Sequence, residues 1–289
     1  MSLRSSDCIV LVPSCDAYGD LWPVFLHGFR KHWPDCPYRL IIGTNERTDA
    51  GAGAETLQSN AGLVWSDRLT DYLNALSSEF VILMLEDFVL RRDVCASDVK
   101  RAMATVEAEK LDCLRLIPRP PPATSRVGDK RFEEIGAQEI YRISTQTAVW
   151  RREFLLSILR RGESIWDFEM KAPSRLPATA KIWGSYERVI PYEGLFVHHV
   201  LEKGKWIPYE RWWLRMIGYP VSRSTRPNMD IVHVVCYHLG EVITRVTQRL
   251  NPLGGSSWRA GLRRAAPRFA LEWYDRNRHV RQPLPGRRP

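Results

Sequence analysis

Six consecutive apolar residues at 80–85 run directly into two adjacent carboxylates, Glu86 and Asp87. An apolar run of this length is typical of a strand buried on both faces of a parallel sheet. Because ligands of open α/β sheets bind outside the carboxyl ends of the strands, we expect both acids to lie at a ligand site. Two like charges beside a core are costly unless a cation compensates them, as a divalent metal holding a nucleotide diphosphate would do. The alternative is a strand end whose acids cap a helix or face water.

The elements that must position these acids are predicted by alternating strand and helix patterns over residues 8–117. This order is typical of a mostly parallel sheet with helices on both faces, so we expect an α/β protein with a Rossmann-like architecture. The predicted strands lie at residues 8–13, 38–43, 63–65, 80–85 and 111–117, and the predicted helices at 21–32, 67–76 and 98–110.

The second half of the chain is less regular. A strand is predicted at 139–144 and a helix at 147–160, and a further helix opens near Trp166. We expect residues 1–215 to form the main domain and residues 216–289 to form a helical, arginine-rich extension.

Charge is concentrated at one end of the sequence. Residues 241–289 contain eleven arginines against three acids, which places +8 of the total charge of +9 in this segment. The remainder is close to neutral and lacks the broad basic face of a nucleic-acid binder. Because the segment mixes arginines with apolar side chains such as Trp258 and Phe269, we expect it to bind an anionic membrane surface. A solvated extension is the alternative.

The composition also indicates in which cellular compartment the protein works. The polar N-terminus does not resemble a signal peptide, and no apolar stretch approaches the roughly 18 residues that span a bilayer. The six cysteines are scattered without a C-x-x-C pair, which argues against a zinc site and against a disulfide framework. We therefore expect a cytoplasmic protein, peripheral on the inner face of the plasma membrane, with reduced thiols.

A set of short motifs occurs in order along residues 7–210: Ser14-Cys-Asp-Ala-Tyr18, Trp33-Pro34, Thr44-Asn45, Trp65-Ser-Asp-Arg-Leu69, Leu85-Glu-Asp-Phe88, Tyr141-Arg-Ile-Ser-Thr-Gln-Thr-Ala-Val-Trp150, Trp166-Asp-Phe-Glu169 and Gly204-Lys-Trp206. In this order the sequence resembles bacterial nucleotide-sugar-dependent glycosyltransferases of the GT-A fold that build surface polysaccharides. The resemblance implies a GT-A sheet, a nucleotide-sugar donor and a glycan acceptor.

The resemblance also implies a metal site, because an Asp-x-Asp element at a strand end usually binds the cation in that family. Here the matching place holds Leu85-Glu86-Asp87, so the first aspartate of the element is absent. Asp87 is then the candidate ligand for Mg²⁺ or Mn²⁺, and Glu86 either assists it or binds the donor ribose. Neighbours on a strand point to opposite faces, so at most one of His198 and His199 would reach the site. A late histidine completes the metal shell in many enzymes of this family, and His199 is the candidate here. The alternative is a structural histidine. Metal-dependent and metal-independent transfer both stay open.

The catalytic base of an inverting enzyme in this family is an acid at the start of a helix that faces the acceptor. Glu169 best matches that place, and Asp167 comes second. We expect a carboxylate among Trp166 and Phe168 to have a raised pKa, because desolvation disfavours its charged form, and a raised pKa suits a general base. The alternative is that both acids complement a helix N-terminus.

Donor binding falls mainly to the first half of the chain. A tyrosine can stack on a base, and an arginine can hold a phosphate bidentately. For Arg68 the alternative is an ion pair with an acid such as Asp67 or Asp71, and Gln146, just before a predicted helix, either binds a sugar hydroxyl or caps the turn. The candidate donor-binding residues are Ser14, Asp16, Tyr18, Asn45, Trp65, Arg68, Glu86, Asp87 and Gln146.

The resemblance and these residues together imply an inverting glycosyltransferase that moves a sugar from a UDP- or dTDP-linked donor to a hydroxyl of a lipopolysaccharide, capsule or similar glycan. Retention of the anomeric configuration stays open, because it depends on how the acceptor is placed. Two other functions stay open. A nucleotidyltransferase has a similar sheet, but it should carry a glycine-rich phosphate loop after the first strand, where this chain has only Gly19. A noncatalytic glycan-binding or scaffold protein would explain the missing first aspartate.

Overall fold

An eight-stranded sheet organises the chain, which was studied as a computed structural model that describes residues 7–119, 122, 128, 130–137, 139, 141–192, 194, 197–235 and 237–239. Within these residues the strands are β1 (Cys8–Val12), β2 (Arg39–Thr44), β3 (Glu55–Gln58), β4 (Phe80–Leu83), β5 (Cys113–Arg115), β6 (Phe132–Glu134), β7 (Ala148–Arg151), β8 (Ile182–Ser185), β9 (Leu201–Glu202) and β10 (Lys205–Trp206). The α-helices are α1 (Trp22–His32), α2 (Trp65–Asn74), α3 (Ala96–Glu109), α4 (Arg152–Ile158), α5 (Ile165–Lys171) and α6 (Pro208–Met216), and residues 231–235 and 237–239 are also helical.

The strand order is β3-β2-β1-β4-β7-β5-β8-β6. The first four strands in this order are parallel to one another, and β5 and β8 are also parallel. Strand β7 runs antiparallel between β4 and β5, and β6 runs antiparallel to β8. The predicted α/β, Rossmann-like fold with a mostly parallel sheet is confirmed.

Side chains of β1 alternate between two hydrophobic clusters, one on each face of the sheet. Val10 and Val12 pack in the cluster that includes the apolar sides of α1 and α3. Ile9 and Leu11 belong to the cluster that includes apolar residues of α2, α4 and α5. Because successive residues of a strand point to opposite faces, a strand covered by helices on both sides must be apolar throughout. This explains the fully buried sequences of β1 and β4.

Two strand predictions were wrong. The third strand is β3 at Glu55–Gln58 rather than residues 63–65. Its sequence Glu-Thr-Leu-Gln is polar, because β3 lies at the edge of the sheet and pairs only with β2. Residues 141–143 form a turn and bends, and residues 144–145 have no regular structure, where a strand was predicted at 139–144.

The helix predicted at 147–160 begins instead as a strand. Residues Ala148–Arg151 form β7, and helix α4 starts only at Arg152. Trp150 of the strand and Phe154, Leu155 and Ile158 of the helix enter the same hydrophobic cluster, which produced the helical spacing in the sequence. Position between two strands therefore overrides local periodicity here.

The chain divides into two compact units. The first comprises Met1–Val200 and Trp213–Thr225, and the second comprises Leu201–Trp212 and Arg226–Pro289. In the second unit β9 and β10 form a hairpin, and Trp206 exchanges backbone hydrogen bonds with Pro227 and Met229. Of the helices that the structure describes, none is long and apolar enough to cross a membrane.

Candidate functional site

The order in which strands are added to the sheet reverses between β1 and β4. From β1 the chain adds β2 and then β3 on one side, and β4 returns to the other side of β1. In open α/β sheets the crevice at such a switch point, outside the carboxyl ends of the strands, is the usual ligand site. The residues that follow the two strands here are Ser14–Asp16 and Leu85–Asp87, and the Met84 N–H donates to the Leu11 carbonyl at 3.0 Å.

Asp16 fastens the loop after β1 to the loop after β2. Its carboxylate accepts hydrogen bonds from the backbone N–H groups of Asn45 (2.9 Å), Glu46 (2.9 Å) and Arg47 (3.1 Å). The Asn45 side chain accepts from the Asp16 N–H at 3.1 Å and donates to the Ser59 carbonyl at 3.3 Å. Burial acts to raise the pKa of Asp16, but these N–H donors outweigh it and the pKa is lowered. Asp16 and Asn45, both predicted to bind the donor, thus connect the loop after β1 to the loop after β2.

Tyr72 of α2 lies beneath the same loops. Its hydroxyl contacts the carbonyl oxygens of Thr44 (2.9 Å) and Ser14 (3.3 Å), and burial raises its pKa to about 12. The ring approaches β2 so closely that a Cβ on Gly43 would lie 2.4 Å from the ring. The Ser14 hydroxyl accepts from the Trp22 indole at 3.0 Å and is buried. Tyr18 is half-buried in the short 3-10 turn Asp16–Tyr18.

Arg68 approaches the switch point from α2. Burial raises the pKa of Cys15, while the charge of Arg68 lowers it and the charge of Glu86 raises it, so both charges act on this thiol. Arg68 donates to the Leu63 carbonyl at 2.6 Å, and its buried Nε has no hydrogen-bond partner among the described residues.

The two acids nearest to Arg68 on helix α2 pair with a different arginine, Arg161. Asp67 and Asp71 lie 3.8 and 2.8 Å from the Arg161 guanidinium. The alternative role of Arg68, an ion pair with one of these two acids, is therefore not the arrangement in the structure. One turn before Arg68, the Trp65 ring packs on Phe168 of α5 with ring centroids 5.5 Å apart, which connects α2 to α5.

Glu86 and Asp87 occupy the turn after β4, where Glu86 is buried and Asp87 is half-buried. The Asp87 carbonyl accepts from the Val200 N–H at 3.1 Å, which brings the residues near His199 to this turn. The expectation that His198 and His199 point to opposite faces of a strand was wrong. They lie before β9 in an irregular segment, and their rings meet edge-on with centroids 4.9 Å apart.

The antiparallel course of β7 brings the loop before it to the same edge of the sheet. Ala148, the first residue of β7, pairs with Leu83, the last residue of β4, and with Arg115 at the end of β5. Gln146 therefore precedes a strand, not the predicted helix. Its side-chain oxygen accepts from the Tyr192 hydroxyl at 2.8 Å. Tyr192 in turn stacks on Phe88, with ring centroids 4.5 Å apart, so packed side chains connect this loop to the acidic turn.

Glu169 of α5 holds this loop from the other side. One carboxylate oxygen accepts from the Thr145 N–H at 2.6 Å and from the Thr145 hydroxyl at 2.7 Å. Burial raises the pKa of Glu169, and the bonds from Thr145 and the charge of Arg115 only partly oppose it. The predicted raised pKa is thus present at this residue.

Asp167, the second candidate base, has the opposite environment. It forms a capping box with Ser164 at the start of α5, and Lys171 lies 2.8 Å from its carboxylate. The Lys171 and Ser164 hydrogen bonds lower its pKa to about 2. The expected raised pKa was wrong for Asp167 because the hydrogen bonds from Lys171 and Ser164 to its carboxylate outweigh its partial burial. For this acid the structure favours the helix-terminus alternative.

Arg115 is a buried charged residue near Glu169 that the sequence analysis did not single out. Its side chain is fully buried at the end of β5 and donates to the carbonyl oxygens of Arg119 (2.7 Å), Tyr141 and Arg142 (both 2.9 Å). Burial lowers the pKa of Arg115, and Glu169 counters this effect. The available signal was an arginine in the otherwise apolar run at 111–117, because a charge in such a run needs a specific partner.

The fit of a divalent cation depends on how many ligands the protein must supply. Among the residues that the structure describes, no group of three or more His, Cys, Asp and Glu side chains could hold a metal ion. Mg²⁺, however, is commonly bound through one or two carboxylates together with substrate phosphates. Asp87 and Glu86 at the strand end fit a site of this second kind, in which the donor diphosphate completes the shell.

Comparison with known proteins identifies no matching family and no matching curated protein. Among solved structures, the chain is similar to S. aureus TarS at 16% identity and a TM-score of 0.40, over 62% of this chain and 36% of that one. For a TarS structure of residues 1–349 the values are 17%, 0.40, 62% and 60%. A CMP:2-keto-3-deoxy-manno-octonic acid synthetase complexed with CTP is similar at 12% identity and a TM-score of 0.40, over 62% of this chain and 88% of that one. The chain thus spans less than two thirds of either TarS structure.

Proposed function

We propose that this chain is a glycosyltransferase that moves a sugar from a nucleotide-sugar donor to a hydroxyl of a glycan acceptor. One observation carries the proposal. Three features lie at one edge of the sheet. They are Arg68, whose guanidinium can bind a phosphate, the acidic turn of Glu86 and Asp87, and Glu169, an acid with a raised pKa. The link is the antiparallel strand β7 together with the Phe88–Tyr192 stack.

In this proposal the two halves of the site act on the two substrates. The loops held by Asp16 and Asn45 form the wall for the nucleoside, with Ser14, Tyr18 and Trp65 around it, and Arg68 binds the diphosphate. A divalent cation on Asp87, with Glu86 or His199, would neutralise the leaving diphosphate. Glu169 takes the proton of the acceptor hydroxyl as that oxygen bonds to the anomeric carbon and the bond to the diphosphate breaks. This single displacement inverts the anomeric centre.

The proposed donor, acceptor and location rest on the sequence resemblance. We infer a UDP- or dTDP-linked donor and an acceptor that is part of a lipopolysaccharide, capsule or similar surface glycan, at the cytoplasmic face of the plasma membrane. The arginine-rich residues 241–289, to which membrane binding was assigned, lie outside the described residues.

A thermal-shift panel of UDP, dTDP, CDP and GDP and the corresponding nucleoside triphosphates, each with and without Mn²⁺ or Mg²⁺, tests the proposal. A ligand that binds only the folded state raises the melting temperature by mass action. We expect one nucleotide diphosphate to do so and the shift to disappear in Arg68→Met. The matched control is Arg161→Met, because Arg161 pairs with Asp67 and Asp71 on the same helix without reaching Cys15.

The outcomes separate the candidate functions. A shift that requires metal supports cation binding at Asp87, and a shift without metal keeps the transferase and removes the cation. A well-folded protein that no nucleotide stabilises would contradict the proposal in favour of a noncatalytic glycan-binding protein. Stabilisation by nucleoside triphosphates in place of diphosphates would favour a nucleotidyltransferase.

A further inference from the structure

A helix in the second compact unit presents an apolar stripe to solvent. Residues 231–235 and 237–239 are helical. Four of their side chains are exposed despite being apolar: Ile231 (78%), Val232 (64%), Val235 (52%) and Leu239 (47%). We call these four residues the 231–239 stripe. Large apolar side chains that cluster on a surface commonly mark an interaction site.

The stripe is one face of an amphipathic helix. At 100° per residue its four members fall within an arc of about 100°, the width of the apolar stripe that usually faces a protein core. The rest of the circumference carries His233, Val234, Tyr237 and His238, which are half-buried, and His238 borders the stripe at about 20° from Ile231. The His238 ring nitrogen lies 2.9 Å from the Tyr209 hydroxyl. The polar face is therefore the one that packs on the protein, and the apolar face is the one left exposed.

We propose that the 231–239 stripe inserts into the interfacial region of an anionic membrane. The segment that follows it in sequence, residues 241–289, carries +8, so a surface that attracts the segment must be negative. Interfacial helices bury an apolar face at the boundary of headgroups and acyl chains, and adjacent basic residues add about 1 kcal/mol each at an anionic surface. An apolar stripe followed by a strongly basic segment matches both requirements.

A second copy of the chain is a poorer occupant. Four aliphatic side chains offer on the order of 400 Å² per copy, about half of the roughly 800 Å² per partner that a stable protein interface buries. A bilayer interface has no such threshold, because each inserted side chain contributes independently in proportion to its apolar area.

Flotation of the full-length protein with two kinds of vesicle tests the inference without requiring any turnover. One kind is phosphatidylcholine alone, and the other mixes phosphatidylcholine with phosphatidylglycerol. We expect binding to the mixed vesicles, and a drop of about tenfold or more in the partition coefficient of the double variant Val232→Gln/Val235→Gln. Val64→Gln, the same change at an exposed valine of the first unit, is the matched control and should bind like the wild type.

The alternatives give distinct results. Equal flotation of the double variant and the wild type, with unchanged melting temperatures, would overturn the role of the stripe and leave binding to charge alone. Wild-type protein that ignores both vesicles would overturn the inference altogether. A wild-type dimer in sedimentation equilibrium that dissociates in the double variant would also overturn it, in favour of a second copy.

Discussion

Two carboxylates at the same edge of the sheet differ in how they are used, and they represent the two halves of the molecule. In the parallel half, β3-β2-β1-β4, Asp16 accepts from three backbone N–H groups and its pKa is lowered. In the mixed half, β7-β5-β8-β6, Glu169 accepts one N–H and one hydroxyl on a single oxygen, and its pKa is raised. Burial dominates at Glu169 and raises its pKa, whereas at Asp16 the three N–H donors outweigh burial and the pKa is lowered.

Replacing Glu169 should produce the largest effect. Glu169→Gln keeps an oxygen that accepts from Thr145, but it removes the proton acceptor. We expect transfer to fall by about 10²- to 10⁴-fold at saturating substrate, with the thermal shift by nucleotide retained. Since burial raises the pKa of Glu169, the folded state disfavours its charged form. The variant should therefore be at least as stable as the wild type at pH 7, which thermal unfolding would measure.

A substitution of the neighbouring acid on helix α5 is the control for this prediction. Asp167→Asn changes the neighbouring acid of the same helix and should leave turnover nearly unchanged. Wild-type turnover in Glu169→Gln would remove Glu169 from the mechanism, and a loss confined to Asp167→Asn would transfer the role of base to Asp167.

Replacing Asp16 should lower the free energy of unfolding more than it lowers the rate of transfer. Asp16→Ala removes the acceptor of three backbone N–H groups, and we expect a loss of about 2–3 kcal/mol in the free energy of unfolding, measured by urea denaturation at pH 7. Because the folded pKa lies below the unfolded value of 3.8, the contribution is present above pH 3.8 and is lost as pH falls through the folded pKa. Asp16→Asn, which keeps an oxygen acceptor, should lose less. Equal stability of Asp16→Ala and wild type would show that the loops need no such anchor.

A methyl group at Gly43 should have a smaller effect, through packing alone. The added Cβ would lie 2.4 Å from the Tyr72 ring, so the ring and the Ser14 and Thr44 carbonyls that it contacts must shift. We expect Gly43→Ala to cost about 1–2 kcal/mol and to weaken the nucleotide thermal shift. In the control, Gly62→Ala, the nearest heavy atom is 3.5 Å away, so no loss is expected. Equal melting temperatures for both variants would contradict this account of Tyr72.

The two halves also differ in how far the sequence could predict them. In the parallel half, β1, β2, β4 and helices α1–α3 follow from local patterns, because strands covered on both faces read as continuous apolar runs. In the mixed half the strands are only three or four residues long and pair with distant partners. Local periodicity there predicted a helix where Ala148–Arg151 is a strand.

The candidate site shows the same limit. Glu169 and Arg68 were proposed from residue type, motif and family resemblance, but their surroundings depend on tertiary contacts. Nothing in the sequence pairs Arg161 with Asp67 and Asp71, or connects Gln146 to Tyr192. The burial of Arg115 and its contact with the Tyr141 and Arg142 carbonyls likewise require the fold.

The smallest effect is expected at Asp167, where the comparison with Glu169 is closest. Asp167→Asn weakens the capping box with Ser164 and the ion pair with Lys171. Because the carboxylate is partly exposed, solvent screening limits the loss to about 1 kcal/mol or less. The folded pKa of about 2 lies below the unfolded 3.8, so this contribution is present above pH 3.8 and disappears as pH falls toward 2. Denaturant midpoints of wild type and variant should therefore differ at pH 7 and converge in acid. Midpoints that stay apart below pH 2 would mean that Asp167 acts through packing instead of charge.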